Sequence, residues 1–217
     1  MSRFVHEHPD RKLNSYAPSF YEDGWLNSTQ RGLVEALADH RGKLADADHF
    51  KLYEAAYFAR GPIVEIGRLA GKSTICLALG ARDGSGQPVY SIELVLKYLP
   101  LTEEGLSRFG VLDGVTLIQG DSAVQATRVP RPVDTVFIDG SHIYEGVARD
   151  IQALRGVLAP GAVLMFHDYR HSANRTGEYG VRRAVDEAAL GPFRGCFGGI
   201  AMFEFGGDAQ SDGVASA

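Results

Sequence analysis

Pro62–Thr74 reads PIVEIGRLAGKST, and its order of residue types predicts strand, turn and helix. Ile63, Val64 and Ile66 make a short apolar run of the kind buried on both faces of a sheet. Gly67 and Gly71 bracket a tight turn, since glycine adopts backbone angles closed to other residues. The small and apolar residues after Lys72 suit a packed helix. The same rhythm recurs downstream. Strands are expected at 62–66, 88–92, 115–118, 133–138 and 162–166, with helices at 72–81, 95–109, 122–127 and 143–158. Val- and Ile-rich strands separated by helices argue for a parallel sheet covered on both faces, and right-handed crossovers make it doubly wound.

The flanks read differently. Residues 1–60 form an N-terminal arm with two helices, at 27–40 (capped by Asn27 or Ser28) and 46–60, serving as a lid or a dimer contact. The arm's aromatics Tyr16, Phe20, Tyr21 and Trp25 need something to pack against. Residues 61–206 are read as the ligand-binding domain, and the small polar residues 207–217 as a disordered tail. After 166 come a polar loop at 169–179, a helix at 181–190, and a hairpin of 193–197 and 200–205 around Gly198-Gly199.

With 217 residues the chain is sized for one domain. A net charge of -5 gives no broad field for nucleic acid or an anionic membrane, so neither is expected as a partner. Two cysteines are too few for a disulfide framework. With no apolar leader and no long apolar run, a cytoplasmic protein is expected.

Ligands of doubly wound folds bind beyond the carboxyl ends of the strands, so those loops carry the chemistry. Three cofactors compete for the first. The NAD fingerprint wants G-x-G-x-x-G, and Leu69 stands where a glycine belongs. The phosphate-binding loop wants G-x-x-x-x-G-K-[ST]; Gly71-Lys72-Ser73 fits its end, but Ile66 stands where its first glycine belongs. The third is S-adenosylmethionine, a sulfonium without phosphate. A carboxylate two residues before the first glycine, as in Glu65-x-Gly67, suits that cation and would repel a pyrophosphate. Glu93, at the end of the second strand, lies where an acid accepts ribose hydroxyls, a need NAD shares. Asp121 and Ser122 can cap a helix or contact adenine.

Two further strand ends read Asp139-Gly140-Ser141-His142 and His167-Asp168. On adjacent strands these four groups would meet at one rim. Carboxylates and imidazoles there can hold a divalent cation, and a free imidazole can take a proton near neutral pH. The loop after them, with Arg170, His171, Asn174 and Arg175, reads as a lid or as plain exposed loop.

VEIGRLAGKST, YSIEL, FIDGSHIYEGVARDI, LAPGAVLMFHDY and GVRRAV together resemble the class I S-adenosylmethionine-dependent methyltransferases. The subgroup that includes macrocin-type sugar O-methyltransferases and cephalosporin hydroxylase-like proteins is the most similar. The resemblance spans 62 to about 190. It implies a Rossmann-like seven-stranded sheet of order 3-2-1-4-5-7-6, and transfer of a methyl group to a hydroxyl of a sugar or other small molecule. Glu65, Gly67, Gly71 and Ser73 would line the methionine end of the cofactor. Glu93 would hold the ribose, Asp121 and Ser122 would lie near adenine, and Asp139 would be a further cofactor-binding residue. Asp139, His142 and His167 are the catalytic candidates implied, with His142 as base. Asp139, His167 and Asp168 would hold magnesium or another divalent metal. His167 stands where that subgroup has a glutamate, and Leu69 where it often has a glycine. A phosphotransferase built on Gly71-Lys72-Ser73 and a non-catalytic cofactor-binding module are the competing readings. A homo-oligomer through the arm would fit the exposed aromatics.

Overall fold

The computed structural model describes residues 12–13 and 24–206. Residues 1–11 and 14–23 of the N-terminal arm and all of the 207–217 tail, on which part of a lid or dimer contact and disorder were expected, lie outside them.

Eight strands form one sheet: β1 Lys12–Leu13, β2 Ile63–Ile66, β3 Val89–Glu93, β4 Val115–Gln119, β5 Val133–Ile138, β6 Leu158–Phe166, β7 Phe193–Phe197 and β8 Ile200–Glu204. Their order across the sheet is β1-β7-β8-β6-β5-β2-β3-β4. Counted from β2, the seven main strands follow the expected 3-2-1-4-5-7-6. Strands β2 to β6 run parallel, and β8 is antiparallel to both β6 and β7. The two-residue β1 was not expected. It pairs parallel with the edge of β7, Lys12 opposite Cys196 and Leu13 opposite Phe197, and so covers backbone groups that an open edge would leave unpaired.

The helices are α1 Gly24–Ala36, α2 Asp46–Tyr57, α3 Lys72–Gly80, α4 Leu99–Arg108, α5 Ser122–Gln125, α6 Tyr144–Arg155, α7 Ala173–Thr176 and α8 Val181–Glu187. Because α1 begins at Gly24, Asn27 and Ser28 lie within the helix and not at its start. Alternation along the central strands sends side chains to both faces. Ile63, Val89, Phe137 and Met165 pack with Leu37, Phe50, Leu52, Ile75 and Leu77 on one side. Val64, Ile92, Val136, Ile138 and Leu164 pack with Val147, Ile151, Leu154 and Val185 on the other. All residues of β2 and β5 are buried, as the apolar runs required.

Cys76 and Cys196 are both buried, and neither is in a disulfide among the described residues. No helix among the described residues is long and apolar enough to cross a membrane.

The neighbours of β2 decide where a ligand goes. The chain leaves β2 for β3 and β4 on one side and returns to β5 on the other, a reversal that opens a crevice at the strand ends. Backbone bonds continue past those ends: Gly67 N–H to Ile92 O (2.9 Å), Asp139 N–H to Ile66 O (2.8 Å) and His167 N–H to Ile138 O (3.1 Å). The loops after β2, β5 and β6 are thereby set shoulder to shoulder.

Candidate active site

A cleft of about 1050 Å³ lies over these strand ends. Gly67, Ser73, Glu93, Asp121, Ser122, Asp139, His142, His167 and Asp168 all line it, with Arg41, Leu69, Lys72 and Tyr179 among the others. Two expected cofactor residues, Glu65 and Gly71, do not.

Glu65 is fully buried. Its carboxylate accepts hydrogen bonds from Ser73 Oγ (2.5 Å), Thr74 Oγ1 (2.6 Å) and Ser91 Oγ (2.5 Å). It ties β2 to β3 and to the first turn of α3, and organises the cleft from beneath. Burial raises its pKa above the ordinary 4.5, against the lowering by the three hydroxyls. Ionisation therefore costs the folded state more than the unfolded chain. The group favours folding below pH 4.5 and loses that contribution as pH rises through the folded value. Glu65→Gln carries no such proton, so it should gain stability relative to the native chain as pH rises. Urea midpoints of both proteins at roughly pH 5 and 8 measure this; a gap independent of pH would contradict it.

Gly67 has φ +84°, and a Cβ there would stand 2.3 Å from Asp139 O. Gly71 has φ +88°, and its Cβ would meet Thr102 Cγ2 at 2.7 Å. Neighbouring protein by itself requires glycine at both positions. Between them Leu69 takes a left-handed φ of +48°, so the position keeps the conformation that glycine favours while its side chain stands at the cleft rim.

Glu93 accepts from the backbone N–H groups of Arg68 (3.1 Å) and Leu69 (3.0 Å) at one oxygen and of Val95 (2.9 Å) at the other. This bears on the phosphate reading. N–H groups of a short glycine turn are what a phosphate cradle would use, and here two of them point at a carboxylate.

Asp121 caps α5, accepting from Ala123 N–H (2.9 Å), and its other oxygen lies 3.5 Å from Arg149. The capping reading holds at this position, which also faces the cleft. Ser122 Oγ donates to the buried Asp150 (2.5 Å).

The acid–histidine groups converge as the strand order required. His142 Nε2 lies 2.9 Å from Asp168 Oδ2 and 3.8 Å from Asp139 Oδ1. The hydrogen bond to Asp168 raises the His142 pKa, against the lowering by burial. Asp168 is pulled the other way: burial would raise its pKa, but both imidazoles hold it well below the usual carboxylate range. Its backbone is left-handed, φ +57°, which turns the carboxylate back over the cleft.

Each nitrogen of His167 faces an acid. Nδ1 is 3.2 Å from Asp139 and 3.4 Å from Asp168, and Nε2 is 3.3 Å from Asp48. Burial alone would lower its pKa, yet the facing carboxylates of Asp139, Asp168 and Asp48 push it up to about 12. Asp48, on α2, is the residue sequence reasoning missed. Fully buried, it also accepts from Ala45 N–H and Gly199 N–H, each at 2.8 Å. It joins α2, the β7–β8 turn and His167, and no local motif announces that role.

Among the described residues, the set offering one ligand atom each within 4.8 Å of one another is Asp139, His142 and Asp168. The expected metal set had His167 where this one has His142. His167 Nδ1 is buried without a well-angled hydrogen bond, so a donor faces the two carboxylates from below. Two carboxylates with imidazole nitrogen make a mixed donor set, which suits a first-row divalent ion better than magnesium, whose preferred ligands are oxygens.

The 169–179 loop is built rather than loose. It contains α7, and Asn174 Nδ2 donates to Asp168 O (2.8 Å) and His171 O (3.1 Å), while its Oδ1 accepts from Arg182 N–H (3.0 Å).

Residues 64–169 match the sequence model of a family described as a methyltransferase domain. Several solved structures share the fold. The cofactor-bound Rv0187 from MTB superposes with a TM-score of 0.64 at 24% identity, over 86% of this chain and 92% of that one. An O-methyltransferase from Bacillus cereus in complex with SAH gives 0.61 at 23%, over 85% and 92%. The O-methyltransferase TomG from Streptomyces achromogenes, involved in tomaymycin synthesis and in complex with SAM, gives 0.63 at 21%, over 86% and 92%.

Proposed function

We propose, for a chain whose residues 64–169 belong to the methyltransferase-domain family, an S-adenosylmethionine-dependent O-methyltransferase acting on a hydroxyl of a small molecule such as a sugar. The observation that carries this reading is one continuous cleft joining the Gly67 turn and Glu93 to the Asp139, His142 and Asp168 cluster. Glu93 receives the ribose hydroxyls, Gly67 and Ser73 border the methionine end, and Asp121 and Ser122 border adenine. A bound sulfonium methyl would then face the acid–histidine rim.

His142 takes the acceptor proton. Asp168 holds its Nε2 at 2.9 Å, which keeps the proton on that nitrogen and leaves the Nδ1 lone pair for the acceptor hydroxyl. The acceptor oxygen attacks the methyl carbon in line. S-adenosylmethionine, when bound, would supply the methyl group, its carbon–sulfur bond breaking as the O–CH3 bond forms and leaving a neutral thioether. Holding both reactants in one cleft supplies much of the rate. A divalent cation, when bound, would lower the pKa of the acceptor hydroxyl. Asp139 and Asp168 with one imidazole nitrogen would hold it.

Two observations weigh against the phosphotransferase reading: the turn is one residue short, and its N–H groups are engaged by Glu93. The test is transfer of a labelled methyl group from S-adenosylmethionine to a panel of sugars and other polyols. Label is expected on an acceptor oxygen. Cofactor binding with no transfer to any acceptor would favour the non-catalytic module. Loss of transfer with chelator and its return with manganese or cobalt would assign the cation.

A further inference from the structure

We propose that Tyr179 is a positioning residue for His142, setting the plane of the imidazole that receives the acceptor proton. The inference rests on the reading of His142 given above.

His142 sits on the β5–α6 loop, half-exposed, and its ring makes a hydrogen bond through Nε2 to Asp168. A ring held at one nitrogen still rotates about that bond, and a rotated ring carries Nδ1 away from the cleft. The Tyr179 ring removes this freedom. Its centroid lies 4.6 Å from that of His142, with 37° between the planes. The same Tyr179 ring stacks with His171 at 4.9 Å and 25°. The three rings form a column running from solvent to the acid cluster.

The column is anchored from the main chain. Gly180 N–H donates to His142 O (2.8 Å), and Tyr179 N–H to Ala173 O (3.1 Å). Gly180 also packs so tightly that a Cβ there would stand 2.4 Å from Tyr144 N. Asn174 fastens the start of the same segment to Asp168 O. Asp168 and Tyr179 thus reach His142 from one structural unit, the first by hydrogen bond and the second by ring contact. This gives the 169–179 loop a use that neither a moving lid nor a plain surface loop would have.

The test needs the ring and not the hydroxyl, so Tyr179→Phe is the conservative variant and Tyr179→Leu the disruptive one. In carbon–proton spectra of the full chain labelled at histidine, the His142 ring protons should lie upfield from the ring current of Tyr179. His142→Gln identifies their signals. Tyr179→Phe should keep the shift, and Tyr179→Leu should lose it. Should Leu unfold the segment, Tyr179→Met fills the space without a ring current and is read the same way. With the best acceptor of the methyl-transfer panel, Tyr179→Leu should lower kcat about tenfold, the scale of one lost ring contact. The Kd for S-adenosylhomocysteine should stay within twofold, and Phe should restore turnover. Unmoved His142 signals in the Leu and Met variants, or unchanged kcat in them, would overturn the proposal. Failure of S-adenosylhomocysteine to bind would count against the function reading, whereas the ring-current arm reads the column in the chain alone.

Discussion

Exchanging Asp168 for Asn is expected to lower methyl transfer by roughly 100- to 10,000-fold, the range a general base contributes, while cofactor affinity stays near the native value. The exchange isolates charge from shape. Asp168 has φ +57°, and Asn is among the few residues that tolerate this region, so the backbone has no reason to move. The amide is nearly isosteric with the carboxylate. What changes is the partner of His142 Nε2, now 2.9 Å from an acid oxygen. An Asn NH2 in that place donates instead of accepting, which favours the tautomer with its proton on Nδ1 and blocks the lone pair assigned to the acceptor. Ala at this position is a poorer probe, because it adds strain of about 1 kcal/mol in the left-handed region. The measurement is transfer of labelled methyl at saturating cofactor, with S-adenosylhomocysteine affinity as control. Native turnover in Asp168→Asn would exclude the His142–Asp168 pair as the proton acceptor.

Gly67→Ala should be the most damaging single methyl group added to the cleft. At φ +84° its Cβ would stand 2.3 Å from Asp139 O and 2.6 Å from Gly140 Cα, all backbone atoms that no rotamer change can move. Left-handed strain and overpacking together give about 3 kcal/mol, a fall in Tm of roughly 6 to 12 °C for a chain of this size. Relief would come from parting the β2 and β5 loops, and this opens the site as well. Gly86→Ala separates the two causes. Its φ is +66° with nothing within 4 Å of the added Cβ, so only strain of about 1 kcal/mol applies. Equal losses in the two variants, measured by calorimetry, would show that the close approach of the loops carries no cost.

Much of the fold could be read from the chain because parallel strands advertise themselves. Ile63–Ile66 and Val133–Ile138 are apolar runs because both faces are covered, and their spacing leaves room for crossover helices. The rim groups were legible for the same reason: Asp139, His142, His167 and Asp168 follow such runs directly, and parallel order brings their ends together. The arrangement within the site was not. Glu65, two residues before a glycine, looks from the sequence like a ligand group. Only the fold shows that hydroxyls at 73, 74 and 91 surround it and turn it inward. Asp48 reaches His167 across 119 positions of sequence, with no spacing rule to suggest it. The short β1 carries no pattern of its own, being a strand because β7 offers it an edge.

The measurement that tests the central claim most directly is calorimetric titration of the full chain with S-adenosylhomocysteine, ATP and NAD in separate runs, repeated with Glu93→Ala. One molecule of S-adenosylhomocysteine should bind per chain, with affinity falling tenfold or more in Glu93→Ala, the scale of a lost hydrogen bond to a charged group. ATP and NAD should give no binding heat. Binding of ATP without S-adenosylhomocysteine, or affinity indifferent to Glu93, would contradict the placement of the cofactor between the Gly67 turn and Glu93.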